Sequence, residues 1–156
     1  MRASSASLLR TAYLLTGDRG HAEDLLQTTL LRVAWRWSAA SEQPEAYARR
    51  VLLNLSRDRW RHLSRRVQER QRDDIPQLPS ADPTDRVVEQ ESLTRVLRLL
   101  PTRQREVIVL RFYVDLTIAD TATALGCSEG TVKSYTNRAL ARLRELLNEP
   151  QEVRKP

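Results

Sequence analysis

The stretch that decides the fold runs from Leu116 to Leu147 and reads LTIADTATALGCSEGTVKSYTNRALARLRELL. Thr117 followed three residues later by Asp120 is typical of a helix N-terminus, where side-chain oxygens accept bonds from the first free amides. Gly126 favours the left-handed conformation that ends a helix, and Ser128 can cap the next helix. Two helices joined by about three residues are therefore predicted, which is a helix-turn-helix.

The second helix of this pair has an apolar stripe and a polar face. Its apolar residues recur at three- and four-residue steps, as expected of a buried side: Val132, Tyr135, Ala139, Leu143 and Leu146. The opposite side carries donor side chains suited to phosphates and base edges: Lys133, Ser134, Asn137, Arg138 and Arg144. The same side includes Gly130, which lacks a side chain and would let the helix end approach a DNA backbone closely. We predict a recognition helix. The alternative is an ordinary helical hairpin whose polar face is only solvated.

Length and charge bound the architecture. The 156 residues suit one ordinary domain or two small ones. Residues 1–66 hold 12 arginines against 6 acids, residues 67–91 hold 3 against 7, and residues 92–156 hold 11 basic against 7 acidic side chains, giving net charges of +6, −4 and +4. Two basic blocks indicate a polyanionic partner. An arginine-favouring codon bias is the alternative explanation.

Other features bear on the class of protein. Cys127 is the only cysteine, so an intramolecular disulfide is impossible and a reducing compartment is expected. His21 and His62 lack ligand-like spacing, and no nucleophile has a plausible base, so we expect no metal, no cofactor, no small-molecule substrate and no enzyme activity. No apolar run approaches the roughly 20 residues that cross a bilayer. We therefore expect no membrane insertion and a cytoplasmic location.

The first 66 residues predict three helices. An apolar run from Ser7 to Thr16 ends near Gly17, and Asp18 can cap a second helix. The predicted buried stripe of that helix comprises Ala22, Leu25, Leu26, Thr29, Leu30, Val33 and Trp37. Its other face offers polar side chains to water or a partner: Asp24, Gln27, Arg32 and Arg36.

A polar loop from Ser38 to Pro44 precedes the third helix, which is predicted from Glu45 onward. The packing of this helix is assigned to Tyr47, Val51 and Leu55, with Trp60 or Leu63 further along. Its arginines are Arg49, Arg50, Arg57, Arg59, Arg61, Arg65 and Arg66, interleaved with Tyr47, Trp60 and His62. Arginines with aromatic neighbours suit the phosphates and stacked bases of a single strand. A solvated arginine face is the alternative.

The second half predicts further helices after a linker. Residues 67–83 contain three prolines and no sustained hydrophobic period. A helix from Thr84 to Leu100 stops before Pro101, and the apolar run at residues 105–114 predicts another, packed through Val107, Ile108, Leu110 and Phe112. No segment favours a strand.

We therefore predict an all-α fold of two small helical domains joined by a flexible linker. The domains are residues 1–66 and 84–156, the linker is residues 67–83, and the second domain contains the helix-turn-helix. Because the linker has few apolar residues, separate domains are expected.

These blocks together resemble the extracytoplasmic-function sigma factors of bacterial RNA polymerase, most closely an actinobacterial branch. The resemblance spans roughly Leu8 to Leu147. It is carried by LLRTAYLLTGDRGHAEDLLQTTLLRVAWRW and PEAYARRVLLNLSRDRWR in the first half, and by LPTRQREVIVLRFYVDLT and ALGCSEGTVKSYTNRALARLR in the second. A helix-turn-helix alone occurs in many families, whereas both blocks in this order are specific.

The resemblance implies partners and site residues. The partners are core RNA polymerase, promoter DNA and an anti-sigma factor. The residues matching polymerase contacts are Asp24, Leu25 and Gln27. Those matching the minus-ten site, which captures an unpaired base, are Ser38, Ser41, Gln43, Asn54, Arg57 and Arg61. Those matching the minus-thirty-five site in duplex DNA are Ser128, Gly130, Thr131, Lys133, Ser134, Asn137 and Arg138.

Two other functions stay open from the residues alone. The first is a helix-turn-helix regulator that acts without being a polymerase subunit; such proteins usually dimerise on two half-sites. The second is a protein-interaction module whose basic faces serve an acidic partner. Glu129 adds a negative charge at the start of the recognition helix, which favours the helix dipole but repels phosphates.

Overall fold

The computed structural model of the chain describes residues 2–70 and 85–148, including the side chains of residues 4–59, 61–62 and 92–148. Its elements are α1 (Arg2–Thr16), α2 (Arg19–Trp35), α3 (Trp37–Ala40), α4 (Pro44–Arg70), α5 (Asp85–Arg98), α6 (Thr102–Ile108), a π-helical segment (Val109–Tyr113), α7 (Ile118–Leu125) and α8 (Glu129–Asn148). No strand lies in the described ranges, so the all-α prediction is confirmed. Residues 71–83 of the predicted linker, and the side chains of Trp60 and Leu63, lie outside the described residues. Within the same ranges, no helix is both long and apolar enough to span a membrane.

The turn between α1 and α2 forms as predicted. Gly17 adopts a left-handed φ of +70°, and its amide donates to the carbonyl oxygen of Tyr13 at 2.7 Å. Asp18 caps α2, since its Oδ1 accepts from the amide of His21 at 2.8 Å. A Cβ at Gly17 would lie 2.4 Å from Arg98 Nε, so α5 packs closely on this turn.

The end of α2 departs from the prediction. Arg36 has φ −114° and ψ 34°, a non-helical conformation that ends α2 and begins the one-turn helix α3. The first part of the predicted loop from Ser38 is therefore helical, and Pro44 begins α4. Trp37 is 50% exposed and Leu30 41% exposed, so the predicted stripe is wrong at these two positions.

A second departure follows α6, where the backbone widens into the π-helical segment. The amide of Val114 reaches back five residues to the carbonyl oxygen of Val109, at 2.9 Å. Phe112 lies in this segment and is 58% exposed, so the prediction that it packs is wrong. Val107, Ile108 and Leu110 are buried as predicted.

The buried apolar residues form two clusters. One lies within the first half and comprises Leu8, Ala12, Ala22, Leu25, Val33, Ala40, Ala48 and Leu52. The other combines Leu14, Leu15 and Leu53 of the first half with Leu97, Leu100, Val107, Ile108, Val109, Leu110, Ala122, Leu125, Val132 and Ala139 of the second. The two helical regions therefore share a core cluster, which the sequence did not predict.

Helix α4 holds the two clusters together. The sequence assigned its packing to Tyr47, Val51 and Leu55, which are half-buried. Two of its fully buried residues are Leu52 and Leu53, adjacent positions that point to different sides of the helix. Leu52 packs into the first cluster and Leu53 into the second, so α4 is buried on two sides.

Candidate nucleic-acid interface

The turn between α7 and α8 is fixed by local hydrogen bonds. Thr117 Oγ1 accepts from the amide of Asp120 at 3.0 Å. Gly126 is left-handed, with φ 65° and ψ 41°, and the amide of Cys127 donates to the carbonyl oxygen of Ala122 at 3.0 Å. Each of these bonds satisfies a free backbone group at one end of α7. The predicted cap and turn are confirmed.

Helix α8 begins with a second cap, which engages two of the predicted site residues. Ser128 Oγ accepts from the amide of Thr131 at 3.1 Å and lies 2.9 Å from Thr131 Oγ1. Both hydroxyls are thus used within the protein. Gly130 is exposed, and a Cβ there would meet only Ser128 Oγ at 3.8 Å, so the fold itself leaves room for a side chain.

The remainder of α8 has the two faces that its spacing predicts. Val132 and Ala139 are buried, while Tyr135, Leu143 and Leu146 are half-buried beside them. The predicted contact residues on the opposite face are all exposed: Lys133, Ser134, Asn137 and Arg138. Two of them are cationic and two are neutral hydrogen-bonding groups, which is the mixture that phosphate and base-edge contacts require.

The predicted polymerase contacts on α2 do not share one environment. Asp24 and Gln27 are exposed. Leu25 is 8% exposed and belongs to the first core cluster, so its burial does not fit a direct contact. Leu31, which is 55% exposed, lies one helical turn beyond Gln27 on the same outward face. Leu31 is not among the residues that the helical spacing of this segment predicted to be buried or exposed.

The residues predicted for the minus-ten site are spread over α3, α4 and the bend between them. Ser38, Ser41, Gln43, Asn54 and Arg61 are exposed. Arg61 lies 3.6 Å from the carboxylate of Asp58 in a solvent-exposed pair. Arg57 differs from the others, because its side chain is only 13% exposed and is bound by the second half.

A groove next to these residues was missed by the sequence analysis. Arg32, Trp35, Arg36, Tyr47 and Val51 line an open cavity of about 380 Å³ between the end of α2 and the start of α4. Trp35 is 81% exposed. Arginines beside exposed aromatic rings suit stacked bases and their phosphates. The two tryptophans at positions 35 and 37 were the available signal, but helical spacing assigned Trp37 to the core.

Arg57 links α4 to α6 through a two-bond contact with Glu106. Arg57 Nε lies 2.8 Å from Glu106 Oε1, and Arg57 Nη2 lies 3.1 Å from Oε2. The Glu106 side chain is 1% exposed. Arg103 Nη1 adds contacts at 3.4 Å to Glu106 Oε2 and at 3.4 Å to the carbonyl oxygen of Leu125.

Next to this contact, a second open cavity lies between the halves. It measures about 330 Å³ and is lined by Arg50, Asn54 and Arg57 from α4 and by residues 123–126 from the end of α7. The helix-turn-helix therefore faces two of the predicted minus-ten residues, Asn54 and Arg57.

Arg105, the neighbour of Glu106, makes another polar link between the halves. Its guanidinium is buried and donates to the carbonyl oxygens of Leu15, Leu97, Arg98 and Leu100 at 2.9–3.2 Å. Burial lowers the pKa of Arg105 from its ordinary value; the nearby charge of Arg98 lowers it further, and that of Glu106 opposes the shift. Backbone acceptors at two helix ends compensate for burying this cation.

Comparisons with known proteins match each half of the chain and nearly its whole length. The family described as Sigma-70 region 2 matches residues 1–66, and the family described as Sigma-70, region 4 matches residues 90–143. The chain is 41% identical to the RNA polymerase sigma-E factor of Streptomyces coelicolor over 149 residues, covering 94% of this chain and 83% of that protein. It is 32% identical to the ECF RNA polymerase sigma factor SigL of Mycobacterium tuberculosis, covering 93% and 85%.

One solved structure gives a likeness over both halves. It is the sigma factor RpoE from Bartonella quintana in complex with the anti-sigma factor NepR, with a TM-score of 0.79, 26% identity, and coverage of 96% of this chain and 95% of that one. The helix-turn-helix, the region 2 match and the identities over nearly the whole chain lead to one conclusion. The chain belongs to the extracytoplasmic-function RNA polymerase sigma factors, which direct the polymerase to promoters and initiate transcription there.

Proposed function

We propose that this sigma factor divides promoter recognition between its two helical regions. Residues 1–66 bind core polymerase through the outward face of α2 and bind the minus-ten element as a melted strand. Residues 84–156 read the minus-thirty-five element as duplex DNA, and residues 67–83 join the two. The observation that carries this proposal is the exposed donor face of α8, opposite its buried stripe. A rigid helix of this kind suits the major groove.

Asp24 and Gln27 serve the polymerase contact, and Leu25 supports them from the core below. On the minus-ten side, Ser38, Ser41, Gln43, Asn54 and Arg61 are exposed and free to meet a strand. We add the groove at Trp35 to this site, because its aromatic ring and arginines suit an unstacked base. Arg57 completes the site only after it leaves Glu106.

An anti-sigma factor is the expected regulatory partner. The RpoE chain that resembles this one over both halves was solved with such a protein bound. A partner that covers the faces used for polymerase and DNA would prevent initiation. Since its targets are core polymerase and promoter DNA, the protein acts in the cytoplasm.

Transcription in vitro tests the proposal directly. Purified core polymerase and this chain would be supplied with a pool of linear templates whose upstream sequences are randomised, and the run-off transcripts would be sequenced. We expect transcripts that depend on the chain and that share two upstream elements. A regulator acting without polymerase would bind DNA yet yield no chain-dependent transcript, and that result would overturn the proposal.

A further inference from the structure

The contact between Arg57 and Glu106 joins a cationic side chain of the minus-ten site to a buried carboxylate of the second region. Both oxygens of Glu106 accept from the same guanidinium, at 2.8 and 3.1 Å. This two-bond geometry is the one in which arginine also binds phosphate. The guanidinium cannot use the same two N–H groups for a carboxylate and a phosphate at once.

Other residues of the second region lie near the face of α4 that carries Arg57. Arg103 connects Glu106 to the carbonyl oxygen of Leu125 at the end of α7. Residues 123–126 face Asn54 and Arg50 across the cavity between the halves. Arg105 adds the bond to Leu15 at the end of α1. The two adjacent side chains at positions 105 and 106 thus contact two different helices of the first region.

The closed chain is too short to contact both promoter elements at the same time. The minus-ten and minus-thirty-five elements lie about 25 base pairs apart, which is roughly 85 Å at 3.4 Å per pair. A compact chain of this length has a radius of gyration of about 15 Å, hence a diameter of roughly 40 Å. The two regions must separate before both elements can be bound.

We propose that Glu106 is an intramolecular mask for Arg57. In the closed chain the carboxylate occupies the place of a promoter phosphate, and the end of the helix-turn-helix covers the adjoining surface. Separation of the regions exposes Arg57 to the strand and removes residues 123–126 from the far side of the cavity that Asn54 lines. This inference rests on the proposed role of Arg57 at the minus-ten site.

Glu106→Gln tests the mask, because it keeps the shape of the side chain and removes the charge that holds the guanidinium. The full-length chain would be studied by small-angle X-ray scattering and by titration with a fluorescein-labelled single strand of 20 thymidines, without polymerase. We expect a larger radius of gyration than in the wild type. If the open form is about a tenth of the wild-type population, full release tightens binding about tenfold. The salt dependence should also steepen by roughly 0.7 for each added phosphate contact.

Two further variants separate the mask from the role of Arg57. Arg57→Ala should open the chain without tightening its hold on the strand, and Arg57→Ala with Glu106→Gln should behave like Arg57→Ala alone. Arg57→Lys keeps the cation but loses the two-bond fork, so it should change size and affinity in the same direction as Glu106→Gln. If circular dichroism shows that Glu106→Gln is unfolded, Arg57→Lys tests the mask in its place.

Unchanged size and affinity in every folded variant would overturn the mask. If Glu106→Gln opens the chain while the affinity for the strand stays at the wild-type value, the regions are held by this pair but Arg57 does not bind the strand. That result would overturn the mask and the minus-ten assignment of Arg57, while leaving the sigma function tested by transcription intact.

Discussion

The Nη1 atom of Arg105 donates to the carbonyl oxygen of Leu15 at 3.0 Å, although 90 positions separate the two residues. Through this bond, a side chain of α6 supplies a donor to a carbonyl oxygen at the C-terminal end of α1. The same guanidinium also satisfies carbonyl oxygens at the end of α5. One buried cation thus completes two helix ends and ties the two regions together.

Replacing Arg105 with Ala should destabilise the closed fold substantially. Four backbone carbonyl oxygens would each lose a donor, three of them in buried bonds, at a cost of roughly 3 kcal/mol or more. Urea unfolding followed by circular dichroism measures the loss. Arg95→Ala, an exposed arginine of α5, is the matched control and should shift stability by about 0.5 kcal/mol at most. Equal effects of the two substitutions would contradict the structural role of Arg105.

Removing Asp24 and Gln27 should weaken binding to core polymerase without harming the fold. Both side chains are exposed on the outward face of α2, and exposed substitutions usually change stability by about 0.5 kcal/mol or less. Affinity of the double alanine variant for core polymerase can be measured by fluorescence anisotropy of a labelled chain. Glu145→Ala removes an exposed carboxylate from α8 and should bind as the wild type does. If the double variant binds core polymerase with wild-type affinity, Asp24 and Gln27 do not form the polymerase contact.

Lys133, Asn137 and Arg138 should contribute separately to duplex recognition. Loss of a base-edge contact costs roughly 1–3 kcal/mol and relaxes preference at one base pair, whereas loss of a phosphate contact weakens all sequences alike. Single alanine variants would be titrated against the duplex selected by the transcription experiment and against single-base changes of it. Arg142→Ala is the control, because this arginine pairs with Glu145 at 3.0 Å on the same helix. If all three variants bind as tightly as the control, the recognition face is misplaced.

What the sequence could predict depends on how local the determining interactions are. The caps at Thr117 and Ser128 and the turn at Gly126 rest on neighbours within three or four residues, and the structure has all three. The state of Arg57 depends on Glu106, 49 positions away. Spacing along one helix contains no information about such a partner, so the sequence assigned Arg57 to DNA alone.

The exposure of Trp37, which was predicted to be buried, has a similar explanation. A helical period identifies which residues share a face, but not where a helix ends. Because Arg36 leaves the helical conformation, the residues after it point elsewhere than the period of α2 implies. The burial of α4 on two sides could not be predicted from the sequence either. One apolar stripe is the usual pattern of a helix, and the second buried side of α4 packs on the other half of the chain.

Trp35→Ala should weaken binding of the melted strand. The ring is 81% exposed beside Arg32 and Arg36, and a base stacked on such a ring contributes about 1–3 kcal/mol. The measurement is anisotropy of a labelled minus-ten strand with the polymerase complex. Phe112→Ala removes another exposed aromatic ring, in the second half, and should leave strand binding unchanged. If both variants lose the same affinity for the strand, the groove at Trp35 is not part of the minus-ten site.

The two glycines of the helix-turn-helix should respond to alanine in opposite ways. Gly126 has φ +65°, and among the described residues other than its chain neighbours none has an atom within 4 Å of the position that a Cβ would take. Gly126→Ala therefore costs only the backbone strain of a left-handed residue, about 1 kcal/mol. Gly130 is in the first turn of α8 and has room for a methyl group. Gly130→Ala should therefore stabilise the fold by about 0.5–1 kcal/mol.

The two substitutions should differ in the opposite sense in DNA binding: Gly130→Ala should weaken duplex affinity, and Gly126→Ala should not. If Gly130 is the point where the helix start approaches the DNA backbone, a methyl group there weakens duplex affinity in a variant that is more stable than the wild type. Gly126→Ala should leave the affinity near the wild-type value at temperatures where it remains folded. Thermal unfolding and duplex titration of both variants test this separation. A stabilised Gly130→Ala variant with unchanged affinity would show that no DNA atom approaches this position closely, and that the contacts begin further along the helix, at Lys133.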